Sequence, residues 1–208
     1  MSSILEKEIA INLVRELIEL GLTHNLAQYG EHGTENWFRE NRIANYGYGA
    51  SSGASKACFW HPDLCDWVIK VGYTERVKHN YATVEYNIYC AAEEAGLQCY
   101  FPCTEYLGEF DGQPFYIQHK ADCDEFEVSS DWRDRLRERY AISGEEIEED
   151  ELWDEVDCMD DYERIMLSFN DEALWNFLRE RCIGDFHNGN FGYIGGELVI
   201  VDFSGWNN

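Results

Sequence analysis

The spacing of apolar positions along the chain first follows a helical period and then a strand-like one. In residues 3–20 apolar side chains recur at helical spacing, and Ser3 followed by Glu6 is the capping pattern that opens a helix. Residues 23–41 lack a clear period, which predicts a loop or a short helix. The runs that follow are rich in β-branched and aromatic residues and predict strands at 42–48, 56–61, 67–71, 103–108 and 113–119.

Helical spacing interrupts the strands and then dominates the second half of the chain. Residues 81–95 predict a helix that ends at Gly96. Residues 143–161 are strongly acidic but keep apolar positions at helical spacing, which predicts an amphipathic helix with a charged outer face. Asn170 is predicted to cap a further helix. The apolar positions of the acidic segment are Leu152, Val156 and Met159.

A second pair of strands is predicted near the end of the sequence. Two short runs of β-branched and aromatic residues, 191–194 and 197–203, are joined by Gly195-Gly196. A Gly-Gly pair between such runs is a strong signal for a tight hairpin with positive φ at both turn residues.

Two carboxylates and an amide flank this hairpin. Asp185 and Asn190 precede it, and Asp202 lies in its second run. Because a hairpin returns the chain on itself, these three side chains are expected to meet at one end of it. Their oxygens suit a hard cation that keeps several waters, such as Mg²⁺, together with phosphate oxygens. An acidic loop beside an ordinary hairpin is the alternative, because Asp and Asn are common loop residues.

Composition limits the class of protein and its partners. The chain has 208 residues, 45% of them hydrophobic, which is enough for one domain or two closely packed lobes. A formal net charge of -25 argues against nucleic acid and anionic membranes as partners, since like charges repel. A cationic protein surface stays open as a partner.

The cysteines and the N-terminus indicate the compartment. The eight cysteines include no Cys-x-x-Cys pair, and several lie in apolar segments, as Cys90 and Cys182 do. They are predicted to be buried, reduced thiols of a cytosolic protein. The N-terminus lacks a basic region followed by an apolar run, and no stretch approaches a membrane span. We therefore expect action in a cytoplasm, either of its own cell or of a host cell into which the protein is delivered.

The residues around Asp185 resemble the catalytic loop and metal motif of the protein-kinase-like superfamily. The run Asp185-Phe-His187-Asn-Gly-Asn190 is similar to the Asp-Leu-His-x-x-Asn loop of aminoglycoside and choline phosphotransferases, and Asp202-Phe-Ser-Gly resembles Asp-Phe-Gly. The resemblance implies that Asp185 orients the acceptor hydroxyl and that His187 is a catalytic-loop residue. It also implies that Asn190 and Asp202 bind the metal. Two features depart from the family pattern: Ile183 replaces the usual His, and the metal motif contains an additional Ser.

A lysine upstream extends the resemblance. Lys70 lies among β-branched residues, where an unpaired charge would be costly, and Val-Ile-Lys70 resembles the third-strand kinase signature whose Lys holds the α- and β-phosphates. The helix 81–95 carries Glu85 at the position of the family's carboxylate partner, so Lys70 and Glu85 are predicted to pair. An edge-strand lysine that points into water is the alternative.

The resemblance also implies two nucleotide-binding segments. A glycine- and serine-rich run before the lysine strand would let backbone N–H groups approach phosphates, with a flexible hairpin tip as the alternative. A hinge after the strand 113–119 would hold adenine. The phosphate-binding candidates are Gly49, Ser52, Gly53 and Ser55, and the hinge candidates are Gln118, His119 and Lys120.

The expected fold is α+β, a protein-kinase-like bilobal arrangement. Residues 1–41 are expected to form an accessory helix and loop, and residues 42–120 an N-lobe with an antiparallel sheet. Residues 121–208 are expected to form a truncated, mainly helical C-lobe with an acidic insert and the metal hairpin. The chain thus resembles a minimal kinase, comparable in extent to reduced kinase-like effectors of some bacteria.

The implied activity is ATP-dependent transfer of phosphate to a serine or threonine hydroxyl of a protein, with Mg²⁺ as the metal and Mn²⁺ as its alternative. Three other functions stay open: phosphorylation of a cationic small molecule, transfer of a nucleotide instead of a phosphate, and a pseudokinase that only binds a partner. We expect a monomer whose protein substrate presents a basic surface, and which binds neither nucleic acid nor a membrane.

Overall fold

The structure is a computed structural model, and it describes residues 1–53, 55–73 and 80–204. The side chains of residues 25–32 are not included in that description. Ala54 of the glycine- and serine-rich run and Gly205 of the metal motif lie outside the described residues.

The chain divides into two compact units, each with its own secondary structure. The first comprises Met1–Gln98 and Pro102–Lys120, and the second comprises Cys99–Phe101 and Ala121–Asn208. Residues 1–41, expected as an accessory segment, belong to the first unit. The α+β class is confirmed, since an antiparallel sheet is combined with several helices.

One antiparallel sheet organises the first unit. Its strands follow the order β1-β2-β3-β5-β4, so β3 is the central strand. The strands are β1 (Gly49–Ser52), β2 (Lys56–Trp60), β3 (Trp67–Gly72), β4 (Thr104–Phe110) and β5 (Gln113–His119). The helices are α1 (Ile4–Glu19), α2 (Leu22–Glu40) and α3 (Tyr81–Ala95).

Alternation along the strands gives this sheet two different faces. One face carries apolar side chains such as Phe59 and Ile69, which share one hydrophobic core with α1 and α2. The opposite face carries Lys70 and Tyr116, and α3 packs there: Thr83 on α3 is 2.7 Å from the Tyr116 hydroxyl. The polar side chains of Lys70, Tyr116 and Thr83 therefore lie between the sheet and α3.

The first two helices show what local pattern does and does not predict. The capping box of Ser3 and Glu6 that opens α1 is present. The expectation of a loop or short helix at 23–41 is wrong, because α2 runs through this segment. Trp37 explains the difference: it is buried, packs edge-on against Phe59 and donates to the Leu20 carbonyl. Tertiary packing through Trp37 thus helps to hold a helix whose sequence is polar on average.

The strand predicted at 42–48 is also wrong. A short 3₁₀ helix spans Ile43–Tyr46, and β1 starts only at Gly49. Arg42 and Gly47 bracket that helix with φ of 54° and 95°, values that an extended strand cannot contain.

Both predicted two-residue hairpin turns are confirmed. Asp111 and Gly112 join β4 to β5 with φ of 50° and 73°. Gly195 and Gly196 have φ of 61° and 87°, as a turn with two left-handed residues requires.

Helices dominate the second unit. Trp132, Phe186 and Phe191 are fully or almost fully buried in its interior. The helices are α4 (Glu125–Ser143), α5 (Glu149–Cys158), α6 (Asp161–Phe169) and α7 (Glu172–Glu180), and the hairpin strands are β6 (Phe191–Ile194) and β7 (Glu197–Ile200).

The acidic segment 143–161 is helical over Glu149–Cys158 and not along its whole predicted length, since residues 144–148 and 159–160 are not helical. It is also only partly a solvated face. Its three apolar positions at 152, 156 and 159 are buried, as the helical spacing predicts. Glu149 nevertheless forms ion pairs with Arg133 at 3.2 Å and Arg137 at 2.6 Å. Part of the negative charge is therefore balanced by arginines of α4.

The expectation of buried thiols is wrong. All eight cysteines lie in the described residues, and none of them is buried: five are exposed and three are partly exposed. Cys182 shows the reason. It does not lie on the apolar face of α7 but follows the end of that helix, and its φ of 54° is not helical. Within the described part of the chain, no helix is both long and apolar enough to cross a membrane.

Asp171, and not Asn170, caps α7. Its carboxylate accepts from the N–H groups of Ala173 and Leu174 at 2.8 and 3.1 Å, while Asn170 ends α6 with φ of 50°. The Tyr100 hydroxyl also donates to Asp171 at 2.6 Å. This bond, more than the helix N–H groups, lowers the pKa of Asp171, and the same bond raises the pKa of Tyr100 to about 12.

Replacing this cap should cost measurable stability. Asp171→Ala is expected to lower the free energy of unfolding by about 1 kcal/mol at neutral pH, because two helix N–H groups lose their acceptor. A lowered folded pKa means that the carboxylate stabilises the fold at neutral pH and that this contribution is lost as the pH falls through the folded pKa. The difference between parent and variant should therefore shrink below about pH 4 in urea unfolding. Glu180→Ala, at the exposed other end of α7, is the control, and a difference that persists at low pH would contradict the assignment.

Candidate functional site

Lys70 and Glu85 form a buried ion pair in the first unit. Lys70 Nζ lies 2.9 Å from Glu85 Oε2, and the exposed fractions of the two residues are 7% and 0%. The predicted contact is thus present. The alternative of an edge-strand lysine that points into water is wrong, because β3 lies between β2 and β5.

A second lysine, which the sequence did not indicate, shares the same carboxylate. Lys56 at the start of β2 is buried, and its Nζ lies 3.5 Å from Glu85 Oε1. Cys58 pairs with Lys70 in the sheet, so Lys56, two residues earlier, lies on the same face as Lys70. Only the register between β2 and β3 places the two lysines together, and no local pattern in the sequence specifies that register.

The glycine- and serine-rich run does not form the single turn that the sequence predicts. Its four candidate residues lie in different elements. Gly49 and Ser52 lie in β1, whereas Gly53 and Ser55 belong to the turn before β2. A Cβ on Gly49 would overlap the ring of Trp60, so packing explains this glycine. The Ser52 hydroxyl lies 3.3 Å from a carboxylate oxygen on α2. The phosphate-binding role of Gly49 and Ser52 stays a prediction, and it would have to be filled from within β1.

The hinge candidates are engaged within the first unit. Gln118 is buried and its side-chain amide donates to β4. The backbone N–H of His119 donates to Cys103 at 2.8 Å, and that of Lys120 donates to Asp66 at 2.8 Å. An adenine-binding role for this segment stays a prediction, and it would have to use groups other than these two N–H donors.

In the second unit, Asp185 starts a tightly bonded loop. Its φ of 67° is unusual for a residue other than glycine. Its carbonyl accepts from the Asn190 side chain at 2.6 Å and from the His187 backbone at 3.1 Å. His187 in turn accepts from the Gly189 N–H through Nδ1 at 3.1 Å. The predicted catalytic residues Asp185 and His187 and the predicted metal ligand Asn190 therefore belong to one loop.

Asp202 reaches the same end of the hairpin. Val201, just before it, donates through its N–H to the Asn190 carbonyl at 2.9 Å, one step beyond the β6–β7 pairing. The Ser204 hydroxyl donates to Asp202 Oδ1 at 3.2 Å. The hairpin thus brings the main chains of the two predicted metal ligands together.

The donor set fits a hard cation that takes its other ligands from water or phosphate. The Asn190 amide nitrogen is used by Asp185, so the Asn190 side-chain oxygen is the atom suited to a Mg²⁺ ligand, beside the Asp202 carboxylate. Within residues 1–53, 55–73 and 80–204, no cluster of three or more His, Cys, Asp or Glu side chains could hold a metal. The pair fits Mg²⁺ only as a partial ligand set.

Asp161 at the start of α6 holds the backbone of the Asp185 loop. Its two carboxylate oxygens accept from the N–H groups of Asp185 and Phe186, each at 2.9 Å. Arg164, one turn later, donates to the Phe186 carbonyl at 2.6 Å. A Cβ on Gly184 would lie 3.0 Å from the Asp161 carboxylate, so the small residue permits this approach. The sequence does not distinguish Asp161 from its neighbours, because it is one acid in a long acidic run.

Known proteins add no family assignment. A comparison with family profiles finds no match to the sequence. A search of curated proteins also finds none.

The three-residue cluster of Lys56, Lys70 and Glu85 predicts an asymmetric response to mutation. Glu85→Gln removes the carboxylate from two buried ammonium groups and should lower the free energy of unfolding by about 3–5 kcal/mol. Lys70→Met should cost less, because Lys56 still contacts Glu85. The double variant should be less destabilised than the sum of the single variants, as urea unfolding would show. Additive losses would mean that the two side chains do not interact.

Asp161 should protect the loop it binds. Asp161→Asn keeps the size of the side chain but loses its charge and one acceptor, so hydrogen exchange at the Asp185 and Phe186 amides should accelerate by about tenfold or more. Exchange measured by mass spectrometry or NMR tests this. Asp157→Asn, at an exposed acid in the last turn of α5, is the matched control. Equal exchange in parent, variant and control would rule out the proposed backbone clamp.

Proposed function

We propose that the protein is an ATP- and Mg²⁺-dependent phosphotransferase of the protein-kinase-like type, which phosphorylates a serine or threonine hydroxyl of a protein. The observation that carries the proposal is the buried ion pair between Lys70 on β3 and Glu85 on α3. The kinase resemblance specifies these two residues from the sequence alone. A buried ion pair adds little net stability, so its presence on a central strand favours a functional role.

The roles of the first-unit residues follow from their chemistry. Lys70 contacts the α- and β-phosphates of ATP, and Glu85 holds the ammonium group in position for this contact. Gly53 and Ser55, which lie in the turn before β2, are the phosphate-approach residues that the geometry supports best. Adenine binding is assigned to the segment from Gln118 to Lys120.

The second unit supplies the acceptor and metal residues. Asp185 orients the acceptor hydroxyl, and His187 shapes the loop through its bond from Gly189. Asn190 and Asp202 hold Mg²⁺, with Mn²⁺ as the alternative, since both prefer oxygen ligands. The bound metal supplies neutralisation of the phosphate charge.

A protein substrate with a basic surface is the proposed acceptor. Glu145, Glu146 and Asp150 in the acidic segment are exposed, and a basic surface would be attracted to them. Other acids there serve the fold, as the pairing of Glu149 with arginines shows. Action on a protein in a cytoplasm is consistent with this surface.

The activity can be tested with ATP labelled at either the α- or the γ-phosphate, Mg²⁺, and a mixture of soluble cell proteins as acceptors. Phosphotransfer predicts that protein acquires the γ-label and not the α-label. Transfer of the α-label would identify a nucleotidyltransferase, and γ-label found only on small molecules would identify a small-molecule kinase. ATP binding without transfer of either label would identify a pseudokinase.

Asp202→Ala should lower kcat by at least about a hundredfold in this assay, because the phosphate charge loses a metal ligand. Glu197→Ala, an exposed acid in the same hairpin, should leave kcat unchanged. Circular dichroism should show that both variants stay folded. Equal γ-transfer by parent and Asp202→Ala at saturating Mg²⁺ would refute the metal assignment.

A further inference from the structure

We propose that Lys56 is a second phosphate-binding residue, so that Lys56 and Lys70, oriented by Glu85, form a two-lysine site for a polyphosphate chain. The inference rests on the proposed function for the identity of this chain as that of ATP. It adds a binding residue that the kinase resemblance does not include.

The two ammonium groups are positioned by different atoms of one carboxylate. Lys70 Nζ lies 2.9 Å from Glu85 Oε2, and Lys56 Nζ lies 3.5 Å from Oε1. Each lysine side chain keeps an exposed fraction of 9%, whereas that of Glu85 is 1%. Glu85 is therefore the most deeply buried member of the cluster, and nearly all of the small exposed part belongs to the lysines.

The charge of the cluster favours an extended anion. Two ammonium groups near one carboxylate repel each other, and this repulsion is strong where water is largely excluded. A ligand with negative charge spread over several oxygens can contact both lysines at once. A diphosphate or triphosphate has this property. A single phosphate has its charge in one place and would have to lie between the two lysines to contact both of them.

The turn before Lys56 gives a second, independent observation. The Gly53 N–H donates to the Lys56 carbonyl at 3.0 Å, which ties the turn to the lysine. Gly53 is exposed, its φ is not positive, and a Cβ added to it would meet no described atom within 4 Å. Neither backbone conformation nor packing in the described structure requires glycine here. The space beside Gly53 leaves room for a ligand to approach the backbone next to Lys56, where the Gly53 N–H itself is already used.

The experiment measures how tightly ATP, ADP and AMP bind to the parent and to Lys56→Met by titration calorimetry. Lys56→Met should weaken ATP and ADP binding by about tenfold or more, and AMP binding by less than about twofold. Lys7→Met is the matched control, because Lys7 forms a partly exposed ion pair with Glu105 in the same unit. It should bind all three nucleotides like the parent.

Each outcome separates this inference from the proposed function. If the parent binds ATP and Lys56→Met binds it equally well, Lys56 does not contact phosphate, and the phosphotransferase proposal still stands. Equal weakening of all three nucleotides would assign Lys56 a structural role and overturn the inference. If the parent binds no nucleotide, the proposed function fails, and inorganic triphosphate becomes the probe. Lys56-dependent binding of inorganic triphosphate would support the two-lysine site, and no binding would overturn it.

A measurement on the parent protein covers the case in which Lys56→Met does not fold. Lysines are acetylated with and without inorganic triphosphate, and the labelling of each is read by mass spectrometry. Triphosphate should protect Lys56 and Lys70 while Lys7 reacts as before. Unchanged labelling of Lys56 at saturating triphosphate would overturn the inference.

Discussion

One buried carboxylate, that of Glu85, constrains how a helix and two strands of the first unit are placed. It contacts Lys70 on the central strand and Lys56 on the neighbouring strand. A shift of the β2–β3 register or a rotation of α3 would take the charges out of contact in a region of low dielectric, which is costly. The start of α3 also lies close to the end of β3, since a Cβ on Gly72 would be 2.5 Å from Asn80 Oδ1, the cap of α3. The burial of Glu85, its ion pairs and the cap of α3 thus all favour one placement of α3 against β2 and β3.

A second carboxylate has a comparable task in the second unit, but it acts on the backbone. Asp161 accepts hydrogen bonds from the N–H groups of Asp185 and Phe186. These bonds help to hold Asp185 at a φ of 67°. A residue other than glycine in this conformation costs of order 1–3 kcal/mol and persists where its surroundings over-determine it. The backbone of residues 185–186 is bound here by three side chains, those of Asp161, Arg164 and Asn190. The strain and its restraints are concentrated at the loop for which the sequence predicts catalysis.

The parts of the fold that could be predicted are those with local causes. A dipeptide such as Gly195-Gly196 specifies its own turn. A lysine among β-branched residues needs a partner, and the kinase resemblance implies that this partner is Glu85. Features that depend on distant parts of the chain were not predictable. Helix α2 is polar on average, and it packs through Trp37 against Phe59, a residue of a strand distant in sequence. The contact of Lys56 requires the strand register, and Asp161 differs from its acidic neighbours only in what it touches.

An acidic chain that binds a nucleotide must overcome repulsion, since both carry negative charge. The formal net charge of -25 acts at long range, but salt limits that range to about 8 Å under physiological conditions. Charges buried in the protein are screened much less, so the cluster of Lys56, Lys70 and Glu85, which is net positive, could outweigh many exposed carboxylates close to a bound phosphate. The exposed acids then act mainly on approach, where they repel free anions and attract a basic protein. In the proposed function, short-range buried cations would therefore determine nucleotide binding, and the net charge of the chain would determine which macromolecules approach it.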